Sequence, residues 1–487
     1  MKVYMIGIGG SSMSGLCELL IEKDMSVSGS DLNGCPRLSQ LGVVVHKSHK
    51  KSNIPIGTQI VVYSSAISQD NEEYRHAAEM GLCMFSRGEL LGLISRGYKK
   101  CIAIAGSHGK TTTTAMLGEI FGFAGKNATV HLGGEHSRKK CGTGDDIFLC
   151  EACEYRDNFL NLVPSVGVVT NMEFDHPDYF KTKSQMVASF RGFAENCRIF
   201  LAGKNTCGEL KASGALTCEV CENEVILTNE IADFSARNLK CDSGLYRFDF
   251  YKKSSFVCEI SLKILGKFNV ENALFACAVA SLFGATPFEI QKGISSFFGV
   301  FRRLEKLPTP KNAGLEIYCD YAHHPTQIAK ISEIFNFEKN ATPTLAIFQP
   351  HTFSRTVALF DDFITALSAF ENLWITQTYP AREKFDFLGS GEYLSANIKN
   401  ARFVEIGDIA KNLENLETPQ NPLNPQNPQN TQNLENPQSP PNLETPEIPQ
   451  NPQNLENHKT PFGRVLFLGA GDIDVIARNY AKEMCKR

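Results

Sequence analysis

The stretch that most constrains this protein is Cys101-Ile-Ala-Ile-Ala-Gly-Ser-His-Gly-Lys-Thr-Thr-Thr-Thr114. A short apolar run breaks at glycine and resumes as a segment compatible with a helix, which predicts a strand, a phosphate-binding loop and a helix. Gly106 and Gly109 allow backbone N–H groups to point into a concave loop. Lys110 can reach the outer phosphates of a nucleoside triphosphate, and the Thr111 hydroxyl can bind the accompanying Mg²⁺.

The spacing of this stretch departs from the general G-x-x-x-x-G-K-[ST] pattern. Ile104 stands where the first glycine would be, and Gly106 follows two residues later. The alternative is a glycine-rich turn that only begins a helix. We favour the phosphate loop, because a strand, Gly-Lys-Thr and a helix seldom occur in this order by chance.

Length and composition indicate an ordinary soluble protein. A chain of 487 residues is too long for one core and predicts about three domains. The formal net charge is -4 and there is no basic run, so we expect no nucleic-acid partner. No segment approaches the roughly 18 uninterrupted apolar residues of a membrane span. We therefore expect a cytoplasmic protein without membrane insertion, whose 16 cysteines are reduced.

The N-terminal segment has the layout of a dinucleotide-type α/β fold. An apolar run over residues 2–10 leads into Gly7-Ile-Gly-Gly-Ser-Ser-Met-Ser-Gly15, and a second strand pattern ends at Asp31. In such folds the glycines allow a phosphate to approach closely, and the carboxylate binds a ribose hydroxyl. Ser12 stands where G-x-G-x-x-G has its third glycine, so the pattern favours the fold more strongly than the ligand.

Acidic and histidine side chains follow two further strand patterns, at residues 147–150 and 166–170. The first pattern runs into Glu151-Ala-Cys-Glu154 and the second into Asn171-Met-Glu-Phe-Asp-His176. Each run has a plain structural explanation, as carboxylates near a helix N terminus or as an ordinary turn. Their joint position beside the predicted phosphate loop favours a functional role, in which they reach a common metal ion.

A third α/β unit is predicted from about Arg302 onwards. Its strand patterns lie at residues 315–320, 344–348, 372–376 and 464–468. Strands that alternate with helices predict a parallel sheet. Between residues 413 and 458 the composition collapses to Asn, Pro, Gln, Glu, Leu and Thr. Such a segment cannot bury enough apolar surface to offset its ordering entropy, so we expect a disordered insertion in a surface loop.

Seven motifs, taken in order, resemble those of the Mur ligases. They are Gly7-Ile-Gly-Gly-x-x-Met-Ser-Gly15, Gly106-Ser-His-Gly-Lys-Thr-Thr-Thr-Thr114, Glu151-Ala-x-Glu154, Thr170-Asn-x-Glu-x-Asp-His176, Phe301-Arg-Arg303, Asp320-Tyr-Ala-His-His-Pro325 and Phe348-Gln-Pro-His-x-x-x-Arg-Thr356. The resemblance covers essentially the whole chain except the Asn/Pro/Gln-rich insertion. Seven ordered motifs are far more specific than any one of them.

The resemblance implies three α/β domains. They are a Rossmann-like domain for a UDP-sugar (residues 1–98), a central ATP-binding domain with a mostly parallel sheet (99–302) and a Rossmann-like C-terminal domain for the amino acid (303–487). The implied reaction is amide formation driven by ATP and Mg²⁺ through an acyl phosphate. Met13-Ser14-Gly15 and Phe348-Gln-Pro-His351 favour the alanine-adding type, with UDP-N-acetylmuramate and L-alanine as substrates. A monomer or weak dimer is expected.

The resemblance also carries individual residues over to this chain. The expected ATP contacts are Gly106, Ser107, His108, Gly109, Lys110, Thr111, Thr112, Asn269, Asn272, Arg303 and Asp320. The expected UDP-sugar contacts are Gly7, Gly10, Ser14, Asp31 and Ser65. The expected catalytic residues are Lys110, Glu151, His176, Arg303, His351 and Arg355. The expected metal ligands are Thr111, Glu151 and His176.

Three positions depart from the family pattern, but none removes a group that the chemistry needs. Phe268 stands where a histidine usually precedes the first asparagine, Ser107 replaces a threonine, and Ser12 replaces a glycine.

Three alternatives remain beside the alanine-adding type. They are a ligase of the same group that adds a peptide or another amino acid, a non-catalytic nucleotide switch, and a nicotinamide oxidoreductase. The intact Lys110, Glu151 and His176 argue against the switch. The missing third glycine argues against the oxidoreductase.

Overall fold

Three β-sheets, each dominated by parallel strands, organise the described part of the computed structural model. The first two sheets lie in the unit Met1–Phe301 and the third lies in the unit Arg302–Arg487. The described residues are 1–133, 138–141, 146–176, 179–221, 231–242, 244–310, 314–336, 343–381, 383–417 and 462–486.

The first sheet has five described strands, all parallel, in the order β3-β2-β1-β4-β5. The strands are β1 (Lys2–Ile6), β2 (Ser26–Ser30), β3 (Val44–His46), β4 (Ile60–Tyr63) and β5 (Cys83–Ser86). The helices are α1 (Ser11–Glu22), α2 (Pro36–Gln40), α3 (Glu72–Glu79) and α4 (Arg87–Ser95), with a 3₁₀ helix at Lys51–Asn53. This strand order is that of a dinucleotide-binding fold, in which ligands bind at the carboxyl edge after β1.

Burial along β1 shows that both faces of this sheet are covered. Val3 and Met5 pack into one apolar cluster, whereas Tyr4 and Ile6 pack into another. Successive side chains of a strand point to opposite faces, so a run that is apolar at every position is what a doubly covered parallel sheet requires.

The second sheet has ten described strands, in the order β15-β14-β13-β12-β11-β10-β6-β9-β7-β8. The strands are β6 (Lys100–Ala105), β7 (Ala128–His131), β8 (Arg138–Cys141), β9 (Ile147–Glu151), β10 (Val166–Val169), β11 (Phe200–Gly203), β12 (Leu216–Val220), β13 (Phe234–Asp242), β14 (Leu245–Lys252) and β15 (Ser255–Leu265). The helices are α5 (Lys110–Phe123), α6 (Lys183–Asn196), α7 (Lys204–Leu210), α8 (Phe268–Leu282) and α9 (Pro287–Ser295), with a 3₁₀ helix at Tyr155–Asn161.

The strand that carries the phosphate loop, β6, lies inside this second sheet. It runs parallel to β10 on one side and to β9 on the other. Those two strands end at the acidic and histidine-bearing runs, so all three strand ends meet at one carboxyl edge.

The third sheet has six described strands, in the order β16-β17-β21-β18-β19-β20, and only the pair β16 and β17 is antiparallel. The strands are β16 (Glu305–Leu307), β17 (Glu316–Asp320), β18 (Thr344–Phe348), β19 (Asn372–Ile375), β20 (Ala401–Phe403) and β21 (Arg464–Leu468). The helices are α10 (Pro325–Asn336), α11 (Phe353–Ala358), α12 (Phe360–Leu367), α13 (Gly391–Ala396), α14 (Ile409–Glu417) and α15 (Ile473–Met484), with 3₁₀ helices at Phe387–Gly389 and Ile406–Asp408.

Helix α14 corrects the predicted start of the Asn/Pro/Gln-rich insertion at residue 413. The helix continues to Glu417. Leu413 is 2% exposed and packs with Ile409, one turn earlier, in the apolar cluster of the third sheet. Apolar packing therefore carries the helix past the point where the composition changes. The remainder of the predicted insertion, residues 418–458, lies outside the described residues.

The predicted α/β class with mostly parallel sheets is confirmed. The domain boundaries after residues 98 and 302 stay predictions. None of the helices in the described ranges is both long enough and apolar enough to span a bilayer.

Two glycines let α4 pack closely against the 3₁₀ helix Tyr155–Asn161. A Cβ on Gly88 would lie 2.2 Å from Asn158 Oδ1, and a Cβ on Gly92 would lie 2.4 Å from the backbone oxygen of Asn161. A backbone atom cannot move aside as a side chain can, so Gly92 is the stricter position. This contact supports the segment that directly follows the acidic run of β9.

We expect Gly92→Ala to lower the free energy of unfolding by about 1–3 kcal/mol, because the methyl group overpacks this contact. Gly208→Ala is the matched control. Gly208 also lies in a helix, α7, but a Cβ there meets nothing within 4 Å. The control should be neutral or stabilising by about 0.5–1 kcal/mol. Urea unfolding of both variants measures the difference, and equal stabilities would contradict the assigned contact.

Candidate active site

Close packing behind the loop between β6 and α5 excludes any side chain at its two glycines. Gly106 has φ of 134° and Gly109 has φ of 83°. A Cβ would lie 2.1 Å from Thr170 Oγ1 at the first position and 2.2 Å from Asn272 Oδ1 at the second. Both backbone conformation and space therefore require glycine. The loop leads directly into α5, whose N-terminal end favours an anion.

The segment after β10 holds this loop in place. Thr170 Oγ1 donates to the backbone oxygen of His108 at 2.5 Å, and Asn171 Nδ2 donates to the same oxygen at 3.0 Å. Asn171 Oδ1 accepts from the His108 N–H at 2.9 Å. Ser107 Oγ donates to the Glu173 backbone oxygen at 2.7 Å, and His108 Nε2 lies 3.0 Å from Glu173 Oε2. Sequence reasoning missed this positioning role of Thr170, Asn171 and Glu173.

Lys110 is folded back into the loop. Its Nζ donates to both carboxylate oxygens of Glu154, at 2.8 and 3.0 Å, and also to the backbone oxygens of Gly106 and Ser107. Burial lowers the pKa of Lys110, but the nearby carboxylates of Glu154 and Glu151 outweigh burial and leave the pKa raised. The ammonium group therefore stays charged, as a phosphate ligand must.

Glu151 belongs to the same acidic run as Glu154, whereas His176 belongs to the segment after β10. Glu151 Oε1 accepts from the Gly133 N–H at 2.7 Å, and His176 Nε2 lies 3.8 Å from Glu154 Oε1. Within the described ranges, no three His, Cys, Asp or Glu side chains form a group that could hold a metal ion. Mg²⁺ commonly takes one or two carboxylates together with substrate phosphates and water. A threonine hydroxyl and a carboxylate are ligands of the type that Mg²⁺ takes, and the roles of Thr111, Glu151 and His176 as metal ligands stay predictions.

Gly133 connects this acidic edge to the first sheet. Its backbone oxygen accepts from Ser11 Oγ at 2.6 Å, while its N–H holds Glu151. Ser12, which replaces the third glycine of the motif, lies beside it. The Ser12 hydroxyl lies 3.3 Å from His131 Nε2 and accepts from Arg87 at 3.2 Å. The start of α1 and the Glu151 carboxylate are thus joined through the backbone of one residue, Gly133. No sequence motif indicated this connection.

The residues predicted for the UDP-sugar are distributed over the first sheet: Gly7 and Gly10 lie in the loop after β1, Ser14 on α1, Asp31 directly after β2 and Ser65 after β4. Gly7 has φ of 78°, and Gly10 is the residue that precedes α1. Asp31 accepts from the Gly9 N–H at 3.1 Å and from the Asn33 N–H at 3.0 Å, so its carboxylate shapes the glycine loop. A ribose contact of Asp31 stays a prediction.

Ser14 and Ser65 make simpler contacts. The buried Ser14 hydroxyl donates to the backbone oxygen of Ser11 at 2.9 Å. The backbone oxygen of Ser65 accepts from Arg156 at 2.8 Å. Their contacts with a UDP-sugar stay predictions.

Asn269 and Asn272 lie on α8 behind the phosphate loop, and both are buried. Asn272 Nδ2 donates to Asn269 Oδ1 at 3.0 Å, and Asn269 Nδ2 donates to the backbone oxygen of Leu265 at 2.7 Å. Thr113 Oγ1 donates to Asn272 Oδ1 at 3.3 Å. The pair ties α8 to the first turn of α5, and its predicted contact with adenine stays a prediction.

The second unit holds the predicted Arg303 and Asp320. Asp320 accepts from the Leu304 N–H at 2.6 Å and from the Ala322 N–H at 2.7 Å. Burial raises the pKa of Asp320, although the Arg303 guanidinium opposes that shift. Arg303 lies over the Tyr321 ring at 5.4 Å.

His351 and Arg355 follow β18 in the same unit. Arg355 donates to the His351 backbone oxygen at 3.2 Å, and the His351 ring stacks on Tyr379 with centroids 5.4 Å apart. Burial, and then the Arg355 charge, lower the pKa of His351 to about 4. His351 is therefore a neutral imidazole near pH 7. Tyr379 was missed, because it lies far away in sequence and belongs to no motif.

The structure thus brings the predicted residues together in two groups, one within each unit. The first group surrounds the phosphate loop, with the acidic run of β9 and the glycine loop after β1. The second group surrounds Tyr321 and His351. The fold and the first group together define an α/β protein built around a phosphate-binding loop.

Comparisons with known proteins identify the family. A profile described as "Mur ligase family, catalytic domain" matches residues 2–99, and one described as "Mur ligase middle domain" matches residues 104–280. The UDP-N-acetylmuramate–L-alanine ligase of Clostridium acetobutylicum is 38% identical over 395 residues, covering 79% of this chain and 84% of that protein. That of Caldanaerobacter subterraneus is 37% identical with the same coverage. The chain belongs to the Mur ligase family.

Solved structures support the fold. The UDP-N-acetylmuramate-alanine ligase of Thermotoga maritima matches with a TM-score of 0.76 and 22% identity, covering 100% of this chain and 99% of that one. A murein peptide ligase of Psychrobacter arcticus matches with a TM-score of 0.67 and 19% identity, covering 100% and 98%. At these identities the likeness concerns the fold alone. The predicted family is confirmed, and the roles of individual residues stay predictions.

We expect Thr170→Val to loosen the phosphate loop, because valine cannot donate to the His108 backbone oxygen. The free energy of unfolding should fall by about 1 kcal/mol. Amide hydrogen exchange of residues 106–109 should accelerate. Thr378→Val is the control, since its buried hydroxyl donates to the Gly389 backbone oxygen in the other unit. Unchanged exchange in the loop of Thr170→Val would contradict its positioning role.

We expect the imidazole of His351 to titrate near pH 4 in the folded protein. An unfolded histidine titrates near pH 6.5, so the unfolded chain takes up a proton first as the pH falls. Stability should therefore decline between about pH 6.5 and pH 4, and His351→Gln should reduce that decline. NMR titration checks the value, and Arg355→Met should raise it. A midpoint near 6.5 in the wild type would refute the assignment.

Proposed function

We propose that this protein is an ATP-dependent ligase that joins L-alanine to the carboxylate of UDP-N-acetylmuramate, with release of ADP and phosphate, in peptidoglycan precursor synthesis. The observation that carries the proposal is the complete phosphate loop, with Lys110 at the start of α5 and Glu154 beside it, in a chain 38% identical to a relative of that name.

The loop supplies the phosphate chemistry. The N–H groups at the start of α5 and the Lys110 ammonium bind and orient the transferred phosphoryl group. Mg²⁺, held by Thr111 and Glu151 with His176, would neutralise charge on the phosphates. A carboxylate is a poor electrophile, and its phosphorylation provides a leaving group. The amine of L-alanine then displaces phosphate from the acyl phosphate to form the amide.

The second unit supplies groups for the nucleotide and the amino acid. Arg303 is a permanent positive charge suited to a phosphate, and Asp320 is proposed to contact the ribose. A neutral His351 can accept a hydrogen bond from an ammonium group near pH 7, whereas an imidazolium cannot. Arg355, beside it, offers planar donors to a carboxylate. These properties support contacts of His351 and Arg355 with the substrates.

We propose a cytoplasmic enzyme, monomeric or weakly dimeric, with domains over residues 1–98, 99–302 and 303–487. Gel filtration with light scattering tests the oligomeric state.

Phosphate release tests the function directly. The protein is supplied with ATP, Mg²⁺ and UDP-N-acetylmuramate, with and without each candidate amino acid. Release that requires both the sugar nucleotide and L-alanine is expected. Release only with a peptide would favour a peptide-adding ligase, and release without either acceptor would favour a nucleotide switch.

We expect Lys110→Ala to abolish turnover while UDP-N-acetylmuramate still binds, because the sugar-nucleotide residues lie on the first sheet. Turnover should fall by a factor of about 10³ or more, since the loop lysine meets the transferred phosphoryl group. Lys99→Ala is the control. Lys99 precedes the same strand but pairs with Asp146 at the surface. Loss of sugar-nucleotide binding in a folded Lys110→Ala protein would contradict this separation.

A further inference from the structure

Glu154 contacts Lys110 more extensively than any motif implied. Its side chain is 4% exposed, and both carboxylate oxygens accept from Lys110 Nζ, at 2.8 and 3.0 Å. The residue directly precedes the 3₁₀ helix Tyr155–Asn161, so its backbone is held by a packed element. A buried carboxylate with two hydrogen bonds to one ammonium group is a specific arrangement, unlike a solvent-exposed ion pair at the surface.

The hydrogen-bonding capacity of Lys110 is fully used inside the loop. An ammonium group has three protons to donate. The Lys110 Nζ faces four acceptors, the backbone oxygens of Gly106 and Ser107 and the two oxygens of Glu154. A phosphate oxygen that binds Lys110 must therefore replace one of them. The backbone oxygens belong to the rigid loop, so the Glu154 side chain is the partner that can be exchanged.

We propose that Glu154 is a positioning residue that occupies Lys110 in the empty loop and yields it to a nucleotide phosphate. The inference rests on the proposed function, since it takes the phosphate loop to be a nucleotide site. Glu154 supplies the negative charge that the loop otherwise receives from phosphate. It thereby keeps the buried lysine charged and the loop preformed, and it lowers nucleotide affinity because the ion pair must break first.

The experiment is equilibrium binding of ADP with Mg²⁺, measured by calorimetry on the full chain without sugar nucleotide or amino acid. We expect Glu154→Gln to bind ADP about tenfold more tightly than the wild type, which corresponds to one charge-assisted hydrogen bond. Glu154→Asp keeps the charge on a shorter side chain that cannot reach both bonding positions, so it should tighten binding about threefold. A residue with a merely structural role would weaken binding when replaced.

Asp157→Asn is the matched control, because it removes a carboxylate from the same 3₁₀ helix. Asp157 accepts from the Tyr179 hydroxyl at 2.6 Å and from the Ser189 hydroxyl, whereas Glu154 accepts from Lys110. Its ADP affinity should equal that of the wild type. Circular dichroism checks whether each variant is folded. If Glu154→Gln does not fold, the ADP affinity of Glu154→Asp tests the proposal.

A double-mutant cycle separates exchange from simple charge repulsion. In the Lys110→Ala background, Glu154→Gln should no longer tighten ADP binding. Persistent tightening there would mean that Glu154 repels phosphate without acting through Lys110, which overturns the proposal. Unchanged or weaker binding in Glu154→Gln and Glu154→Asp overturns it as well. If the wild type binds no adenine nucleotide, the proposed function fails together with the inference, whereas normal wild-type binding leaves the function standing.

Discussion

The space behind the phosphate loop is the constraint on which the first unit depends. Gly106 and Gly109 approach Thr170 and Asn272 so closely that no Cβ fits. Thr170 directly follows β10 and Asn272 lies on α8, and both elements contribute buried apolar residues to the core of the second sheet. The loop is therefore held by the sheet and not by its own sequence, and a bound phosphate meets N–H groups that are already oriented.

Basic and acidic side chains are paired around that loop. Lys110 is compensated by Glu154, and His108 lies beside Glu173. A bound triphosphate would bring several negative charges to this edge. Those charges would attract nearby cations and repel nearby carboxylates. The carboxylates that compensate the empty site are thus the groups most affected when a nucleotide binds. In the second unit a potential charge is suppressed instead. Burial and the Arg355 charge lower the pKa of His351 and keep it neutral.

Much of the fold and of the candidate site could be predicted from local sequence. The order of strands and helices followed from apolar runs broken by glycine, and the predicted strands near residues 101, 147, 166, 344 and 464 are all present. The loop residues and the acidic run were identified because strand ends of a parallel sheet share one edge. The roles of Gly133 and Tyr379 could not be predicted, because a backbone N–H or a stacked ring leaves no pattern along the chain. The start of the insertion was misplaced because Leu413 is buried by residues distant in sequence.

The sequence by itself determined the α/β class, the phosphate loop and the family, since these depend on residue types at short, regular spacings. Only the tertiary structure decided what each polar group does. It made Thr170, Asn171 and Glu173 supports of the loop, joined Ser11 to Glu151 through Gly133, and placed Glu154 on Lys110. Hydrogen bonds between segments tens of residues apart depend on how strands pair and helices pack, and spacing along the chain does not encode that.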